Sequence, residues 1–247
     1  MSDRSISRRG ILQSAALLAA AGLVPGTGQA DRHPLKIIVA GGHPDDPESA
    51  CGGTMALLAD AGHEVVSLYL TRGEAGIHGK SHEEAARIRT AEAEEACRTL
   101  NTRPLFLTQT DGATELNAAR YDEALAVIRA EAPNLLITHW PIDGHRDHRV
   151  MSMLMYDCWL KMDRQFQLFY FEVLTGQQTQ HFHPTHYVDI TTTEERKRKA
   201  CLAHRSQHPE TYFYPRHEQM HQARGAEAGV KLAEAFVRHV QSGGGLI

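Results

Sequence analysis

Two short stretches of this sequence bring together side chains that could bind a metal ion or transfer protons. The first, residues 41–48 (GGHPDDPE), carries one imidazole and three carboxylates. Adjacent carboxylates repel each other unless a cation lies beside them. His43 and Asp46 offer the nitrogen and oxygen ligands that zinc accepts, which leaves Asp45 free for chemistry. The alternative is that Asp45 or Asp46 only caps the helix that follows.

The second stretch, residues 141–148 (PIDGHRDH), again combines a glycine turn with imidazoles and carboxylates. Each stretch directly follows an apolar run typical of a buried strand, residues 35–40 and 135–140. In a doubly wound sheet of order 3-2-1-4-5, strands one and four are neighbours, and ligands bind in the crevice between their carboxyl ends. We therefore expect the two clusters to face each other across this crevice.

Apolar periodicity predicts the strands and helices that would position these clusters. Strands are expected at residues 35–40, 64–70, 104–108, 135–140, 167–173 and 187–190. Helices are expected from Gly52, after a capping box at Ser81, over residues 121–132 and 192–207, and over a final stretch from Val230 to Val240. This alternation predicts an α/β fold with a single Rossmann-like domain, a mostly parallel sheet and helices on both faces.

The composition limits the classes of function. The 247 residues suit one domain with a sizeable core, and the net charge of -4 gives no electrostatic footprint for nucleic acid. The four cysteines form no Cys-x-x-Cys pair, and each lies in an apolar helical stretch. We therefore expect buried free thiols.

The first thirty residues resemble a twin-arginine export signal. Arg8 and Arg9 precede a moderately apolar stretch, residues 11–24, which is too short to span a bilayer comfortably, and small residues follow up to Ala30. We expect a bacterial protein that the twin-arginine machinery exports to the periplasm, with a mature domain of residues 31–247 and no stable membrane span. The alternative is a basic amphipathic arm that stays on the protein.

Arg89 lies on the apolar stripe of the helix that begins after Ser81. A guanidinium on an inward face needs a partner. We expect either a structural ion pair with a carboxylate such as Glu74, which the spacing favours slightly, or a contact in a substrate pocket.

These motifs together resemble the LmbE-like (PIG-L type) family of zinc-dependent sugar de-N-acetylases. The resemblance covers residues 36–207. Its motifs are HPDD at 43–46 with GGT at 52–54, TRGE at 71–74 with the helix at 89–92, GHRDH at 144–148, and VDI at 188–190 with HRSQ at 204–207.

The resemblance implies a zinc site and a general base. His43, Asp46 and His148 would bind the zinc ion, and Asp45 would accept a proton. This ligand set leaves coordination positions open, as in catalytic zinc sites. Zinc would lower the pKa of its water to about 7, and this water would attack the acetamide carbonyl of an N-acetylated amino sugar or related amide.

The resemblance also implies supporting roles for four residues. His145, in its protonated form, would stabilise the oxyanion, and Asp147 would orient an imidazole. Arg72 and Arg89 would bind substrate. The sequence leaves open whether Asp45 or His145 gives a proton to the leaving amine. The export signal departs from the best-known relatives, so their natural substrates do not transfer to this chain.

Two other functions compete with an N-deacetylase. A magnesium-dependent phosphoesterase could use Asp45, Asp46, Asp143 and Asp147 as an oxygen cage, but histidines at ligand positions argue against magnesium. A non-catalytic exported carbohydrate-binding protein would not need a general base beside an open metal site.

Overall fold

The computed structural model describes residues 34–241 and contains one seven-stranded sheet. The strands are β1 (Lys36–Gly41), β2 (Glu64–Tyr69), β3 (Arg103–Phe106), β4 (Leu135–His139), β5 (Gln167–Phe171), β6 (His186–Asp189) and β7 (Ala233–Arg238). The helices are α1 (Asp46–Asp60), α2 (His82–Leu100), α3 (Ala118–Glu131), α4 (Arg146–Lys161), α5 (Glu194–Leu202) and α6 (Tyr214–Ala228), with a 3-10 turn at Arg205–Gln207.

The sheet has the order β3-β2-β1-β4-β5-β7-β6. The first five strands pair in parallel, and β7 is antiparallel to both of its neighbours. The predicted single α/β domain with order 3-2-1-4-5 is therefore confirmed. The expected export signal, residues 1–30, lies outside the described residues.

Apolar side chains form a core on each face of the sheet. One core contains Met55 and Leu58 of α1 with Ile37 of β1. The other contains Ile128 of α3 and Met151 of α4. The predicted placement of helices on both faces is therefore confirmed. The four cysteines are buried and unpaired, as expected.

The helix after the first cluster begins earlier than the sequence predicts. It starts at Asp46, so Gly52 and Gly53 lie inside α1. A Cβ on Gly52 would lie 2.9 Å from Lys197 Cγ of α5, and one on Gly53 would lie 2.5 Å from Ile190 Cγ2. The two glycines therefore allow close packing between α1 and the segments that cover it.

The final predicted helix is wrong. The chain from Ala233 to Arg238 is strand β7, which lies between β5 and β6. Its first four residues are all buried, including the acidic Glu234, so the alternation typical of a strand is missing. The valines at 230, 237 and 240 imitate a helical period by chance. In the described part of the chain, no helix is long and apolar enough to cross a membrane.

Candidate active site

The two chemical clusters meet because β1 and β4 pair in parallel. Ile37 pairs with Leu135 and Ala40 with Thr138, so both strands end at the same edge of the sheet. A Cβ on Gly42, just after β1, would lie 2.9 Å from His148 Cδ2 of α4. Only glycine at position 42 leaves room for the His148 ring, because a Cβ atom there would overlap with Cδ2 of that ring.

The carboxylate of Asp46 lies between two imidazoles. Its Oδ2 atom is 3.3 Å from His43 Nδ1 and 3.3 Å from His148 Nε2. These separations are long for charge-assisted hydrogen bonds, which measure about 2.7–2.9 Å. They match the spacing of about 3.3–3.4 Å between two ligands of a tetrahedral ion with bonds of 2.0–2.1 Å. Asp46 therefore has the spacing of a second ligand with respect to either histidine. Among the described residues, the groups whose ligand atoms all lie within 4.8 Å of one another are His43 with His145 and His148, Asp46 with His139 and His148, and His43 with Asp111 and Asp147.

In each of these histidines the outer nitrogen, meaning the ring nitrogen that does not face Asp46, lies next to a carboxylate. His43 Nε2 lies 3.2 Å from Asp111 Oδ1 and 3.3 Å from Asp147 Oδ2. His148 Nδ1 lies 3.2 Å from Asp143 Oδ1. A carboxylate at this position holds a proton on the outer nitrogen and turns the lone pair of the inner nitrogen toward a metal. The second layer of residues thus also fits a metal site.

The charges of the cluster stabilise one another. Burial alone would lower the pKa of His148, but Asp46 and Asp143 raise it to about 9. Burial would also lower the pKa of His43, but the neighbouring carboxylates raise it well above its usual value. Burial opposes ionisation of Asp46, yet His148 holds its pKa well below the usual range. Without a cation, the two imidazoles therefore carry protons that a metal would displace.

His139, the last residue of β4, supports this arrangement. Its Nε2 atom accepts a hydrogen bond from the backbone N–H of Gly42 at 3.0 Å, so its lone pair is engaged, although it also lies 3.3 Å from Asp46 Oδ2. Its ring stacks on the ring of His148, with centroids 3.8 Å apart. Burial lowers its pKa to about 4, with a further contribution from His148. His139 is therefore a neutral side chain that orients the imidazole of His148.

Asp45 has a backbone conformation that is rare outside glycine, with φ at 117°. It precedes α1, but its side chain makes no capping hydrogen bond. Its Oδ2 atom instead accepts a hydrogen bond from Arg89 Nη2 at 3.0 Å. Burial raises the pKa of Asp45 above the usual carboxyl value, although Arg89 lowers it. The alternative that Asp45 only caps the helix is wrong.

Arg89 forms the expected ion pair with a carboxylate, but its partner is Asp45 and not the suggested Glu74. Arg89 Nη2 also donates to the carbonyl oxygen of Pro44, so one guanidinium holds both residues of the turn. Glu74 Oε2 instead accepts hydrogen bonds from the backbone N–H groups of Arg72 and Asp111. Arg89 is thus placed to position Asp45.

Arg72 lies away from this cluster. Its Nη1 atom donates to Thr90 Oγ1 at 3.1 Å, and its guanidinium lies 4.3 Å from the centroid of the Phe106 ring. The structure therefore does not bring Arg72 to the pocket where Asp45 and His148 lie.

His145 and Asp147 both lie next to His43. His145 Nδ1 accepts a hydrogen bond from the backbone N–H of Asp147 at 3.3 Å, so in the neutral ring the proton is on Nε2. Burial and the charges of His43 and His148 lower the pKa of His145, which favours this neutral form over the expected protonated one. The buried Asp147 faces His43 Nε2, and Gly112 and Thr114 donate to its two oxygens at 2.8 and 2.7 Å. It is therefore placed to orient the imidazole of His43.

A cavity of about 460 Å³ opens beside the cluster. One wall contains Asp45, Asp46, His145 and His148. The rest of the lining comes from two later segments, residues 173–178 and 207–217. This volume lies within the range of small-molecule sites.

Several residues of the site escaped sequence reasoning. Asp111 precedes a glycine in a turn, which was a usable signal, whereas Asp143 was considered only for a magnesium cage and not as the partner of His148. His139 is a polar residue at the end of an apolar strand, which was a weaker one. No local pattern indicated Gln178, whose side-chain amide lies 2.9 Å from His148 Nδ1.

Comparison with known proteins assigns the chain to a family. Residues 38–159 match the PIG-L family, described as GlcNAc-PI de-N-acetylase. A diacetylchitobiose deacetylase of Thermococcus kodakarensis is 30% identical in an alignment of 191 residues, which covers 71% of this chain and 71% of that protein.

Two solved structures share the fold. An N,N'-diacetylchitobiose deacetylase from Pyrococcus horikoshii has a TM-score of 0.72 and 24% identity, over 96% of this chain and 95% of its own. The 4-carboxy-2-hydroxymuconate hydratase of Pseudomonas putida KT2440 has a TM-score of 0.74 and 19% identity, over 86% of this chain and 99% of its own. At these identities the likeness concerns the fold alone. The sequence match to the deacetylase is the finding that identifies the chain, which belongs to the GlcNAc-PI de-N-acetylase (PIG-L) family.

Proposed function

We propose that this protein is a zinc-dependent hydrolase that removes the acetyl group from an N-acetylated amino sugar. The observation that carries the proposal is the arrangement of Asp46 between His43 and His148, each backed by a carboxylate on its outer nitrogen. Family membership supports the reaction class.

His43, Asp46 and His148 would hold the metal. Two imidazoles and one carboxylate form the mixed ligand set of catalytic zinc, whereas magnesium prefers oxygen alone. When bound, the ion would polarise the amide carbonyl and acidify water in the pocket.

Asp45 would accept the proton of the attacking water. Its raised pKa makes it a stronger base than an exposed aspartate, and Arg89 fixes its direction. Arg89 is therefore a positioning residue in this proposal, and no contact supports the substrate-binding role expected for Arg72.

His145 would stabilise the negative charge that develops on the carbonyl oxygen. Its neutral ring would donate from Nε2, since Nδ1 accepts from the backbone of Asp147. The leaving nitrogen would take its proton from Asp45, because this carboxyl group is protonated by the preceding step, whereas the neutral ring of His145 has no acidic proton to give.

The substrate class follows from the names of the relatives. The matched family and the Thermococcus protein are both named for removing acetyl groups from sugars that contain N-acetylglucosamine. The cavity of about 460 Å³ is large enough for such a sugar.

The structure disfavours the magnesium phosphoesterase. Asp143 and Asp147 face the outer nitrogens of His148 and His43, and Asp45 pairs with Arg89. These carboxylates therefore do not converge with Asp46 into an oxygen cage.

The deciding experiment measures metal content and amine release together. The protein would be loaded with zinc, analysed for metal, and incubated with a panel of N-acetylated sugars and cell-wall fragments. We expect about one zinc per chain and release of a free amine from at least one N-acetylglucosamine derivative. The variant His148→Ala should lose most of the metal, and full occupancy in this variant would remove His148 from the ligand set. Zinc binding with no amine release from any substrate would leave a carbohydrate-binding protein as the better description.

A further inference from the structure

The lining of the cavity contains a histidine, His217, that has no role so far. The proposed mechanism does not use it, and it lies outside the sequence motifs. His217 lies in the first turn of α6, is 2% exposed and lines the cavity. Its Nδ1 atom is sealed from solvent and has no hydrogen-bond partner. Within residues 34–241, its Nε2 atom also has no protein partner, and this atom is not sealed. Nε2 is therefore the nitrogen that can meet a ligand.

A buried polar group without a partner needs an explanation. The large majority of buried side-chain polar atoms in proteins are hydrogen-bonded, and leaving one unpaired costs about 1–3 kcal/mol. Nδ1 carries this cost with or without a ligand because it is sealed, whereas a ligand in the cavity would give a partner to Nε2, the nitrogen that is not sealed.

Neighbouring residues hold α6 in place around His217. Tyr214, one turn earlier, hydrogen-bonds through its hydroxyl to Glu194 of α5. His221, one turn later, lies 3.0 Å from the ammonium of Lys197, which is paired with Glu234 at 2.5 Å. Both contacts anchor the inward face of the helix, so the His217 ring enters the cavity from a fixed element. Fixed elements hold binding groups more accurately than loops do.

His217 is a neutral group. Burial and the charge of Lys197 together lower its pKa to about 3. A neutral imidazole both donates and accepts hydrogen bonds, which suits a hydroxyl group. The same cavity is lined by Asp45 and Asp46, beside which the proposed function places the acetamide.

We propose that His217 binds a ring hydroxyl of the sugar and so selects N-acetylated pyranoses that carry a free hydroxyl toward α6. This proposal rests on the proposed function for the identity of the ligand. His217 would be a specificity-determining residue, distinct from the residues that transfer protons.

The test pairs changes in the protein with changes in the substrate. Wild type, His217→Phe and His217→Gln would be assayed with the best N-acetylglucosamine derivative and with its 3-deoxy, 4-deoxy and 6-deoxy analogues. We expect His217→Phe to retain its metal and to lose about tenfold or more in kcat/KM on the parent sugar, because one hydrogen bond is lost. With wild type, kcat/KM for one deoxy analogue should be lower than for the parent sugar by about the same factor. With His217→Phe, kcat/KM for this analogue and for the parent sugar should be equal. His217→Gln, which can still hydrogen-bond, should recover part of the loss.

A matched control is His186→Phe, which replaces a half-buried histidine of β6 outside the cavity and should leave every ratio unchanged. The proposal would be overturned if every deoxy analogue lost the same factor in kcat/KM with His217→Phe as with wild type. It would also be overturned if His217→Phe had the kcat/KM of wild type on the parent sugar.

A binding measurement separates this proposal from the proposed function. In protein labelled with ¹⁵N-histidine, the ring signals of His217 should shift when glucosamine or N-acetylglucosamine is added at saturating concentration. The assignment comes from the signal lost in His217→Gln. A shift of the His217 signals without any turnover would support the contact between His217 and the sugar but contradict the proposed deacetylase activity. No shift in a protein that turns the sugar over would remove the contact alone.

Discussion

At the scale of single residues, the site separates the side chains that would bind a metal from the side chain that would accept a proton. Asp45 and Asp46 are adjacent, yet their carboxylates point to different partners, Arg89 for the first and two histidines for the second. The positive φ of Asp45 causes this separation. Such strain costs roughly 1–3 kcal/mol and occurs most often at functional sites.

The first prediction follows from this separation. Asp45→Asn keeps the shape of the side chain but cannot accept a proton, and a positioned base contributes about 10²–10⁴-fold to a rate. We expect the variant to retain its zinc and its substrate affinity while turnover falls at least about a hundredfold. Elemental analysis and deacetylation rates measure the two effects separately.

Asp122→Asn is the control, since Asp122 is an exposed residue of α3. Normal turnover in Asp45→Asn, or loss of its zinc, would contradict the assignment of Asp45 as the base.

The second prediction concerns protons and metal. The pKa of His148 is about 9 in the metal-free protein and about 6.5 when unfolded. The charged ring therefore stabilises the metal-free fold fully below about pH 6.5, and this contribution is lost as the pH rises through 9. A metal needs the neutral ring, so between these pH values its affinity should rise by at least about tenfold per pH unit.

Calorimetry in buffers of different ionisation enthalpy would count the protons released. An affinity that does not change between pH 6.5 and 9 would show that His148 is already neutral in the metal-free protein.

At the scale of elements, the packing of α1 against α5 and β7 depends on glycines inside a helix.

The third prediction is that Gly53→Ala destabilises the protein by about 1–2 kcal/mol. Overpacking costs about 1–3 kcal/mol, which outweighs the roughly 1 kcal/mol that alanine gains over glycine in a helix. The overlap arises because the new Cβ would lie 2.5 Å from Ile190 Cγ2.

Denaturant unfolding measures the change. Gly144→Ala is the control, because a Cβ there meets no atom closer than 3.6 Å, and its stability should stay within about 0.5 kcal/mol of wild type. A Gly53→Ala protein as stable as this control would show that the contact relaxes freely.

The same elements explain what could be predicted from the sequence. Strands β1 and β4 are mostly apolar and lead into glycine turns, so both the sheet order and the meeting of the two clusters were predictable. Helix α6 was missed because its inward stripe is polar: Tyr214, His217, His221 and Gly225 have helical spacing but little hydrophobicity. Its partners, Lys197 and Glu234, lie in other elements, and no local pattern reveals a pairing between distant segments.

At the scale of the whole molecule, we propose that the domain works outside the cytoplasm. Arg8 and Arg9 followed by the apolar stretch at 11–24 support export in the folded state.

The fourth prediction is that replacing both arginines with lysine leaves an uncleaved precursor in the cytoplasm, which cell fractionation and mass measurement would detect. Unchanged delivery to the periplasm would refute the assignment of the signal, and a variant with lysines at Arg87 and Arg98 serves as the control.

The lining of the cavity comes from different parts of the chain, and this has a consequence for how enzymes of this kind would diversify. Residues 45–148 supply the proposed catalytic side chains, whereas residues 173–178 and 207–217 supply the rest of the lining. Among these later residues, Gln178 contacts the proposed metal ligand His148. Natural variation at the other later positions would therefore redirect the enzyme to new sugars while the chemistry stays intact. For the engineer, the same division marks the later positions other than Gln178 as the region to randomise in a library, with the earlier part of the chain kept constant.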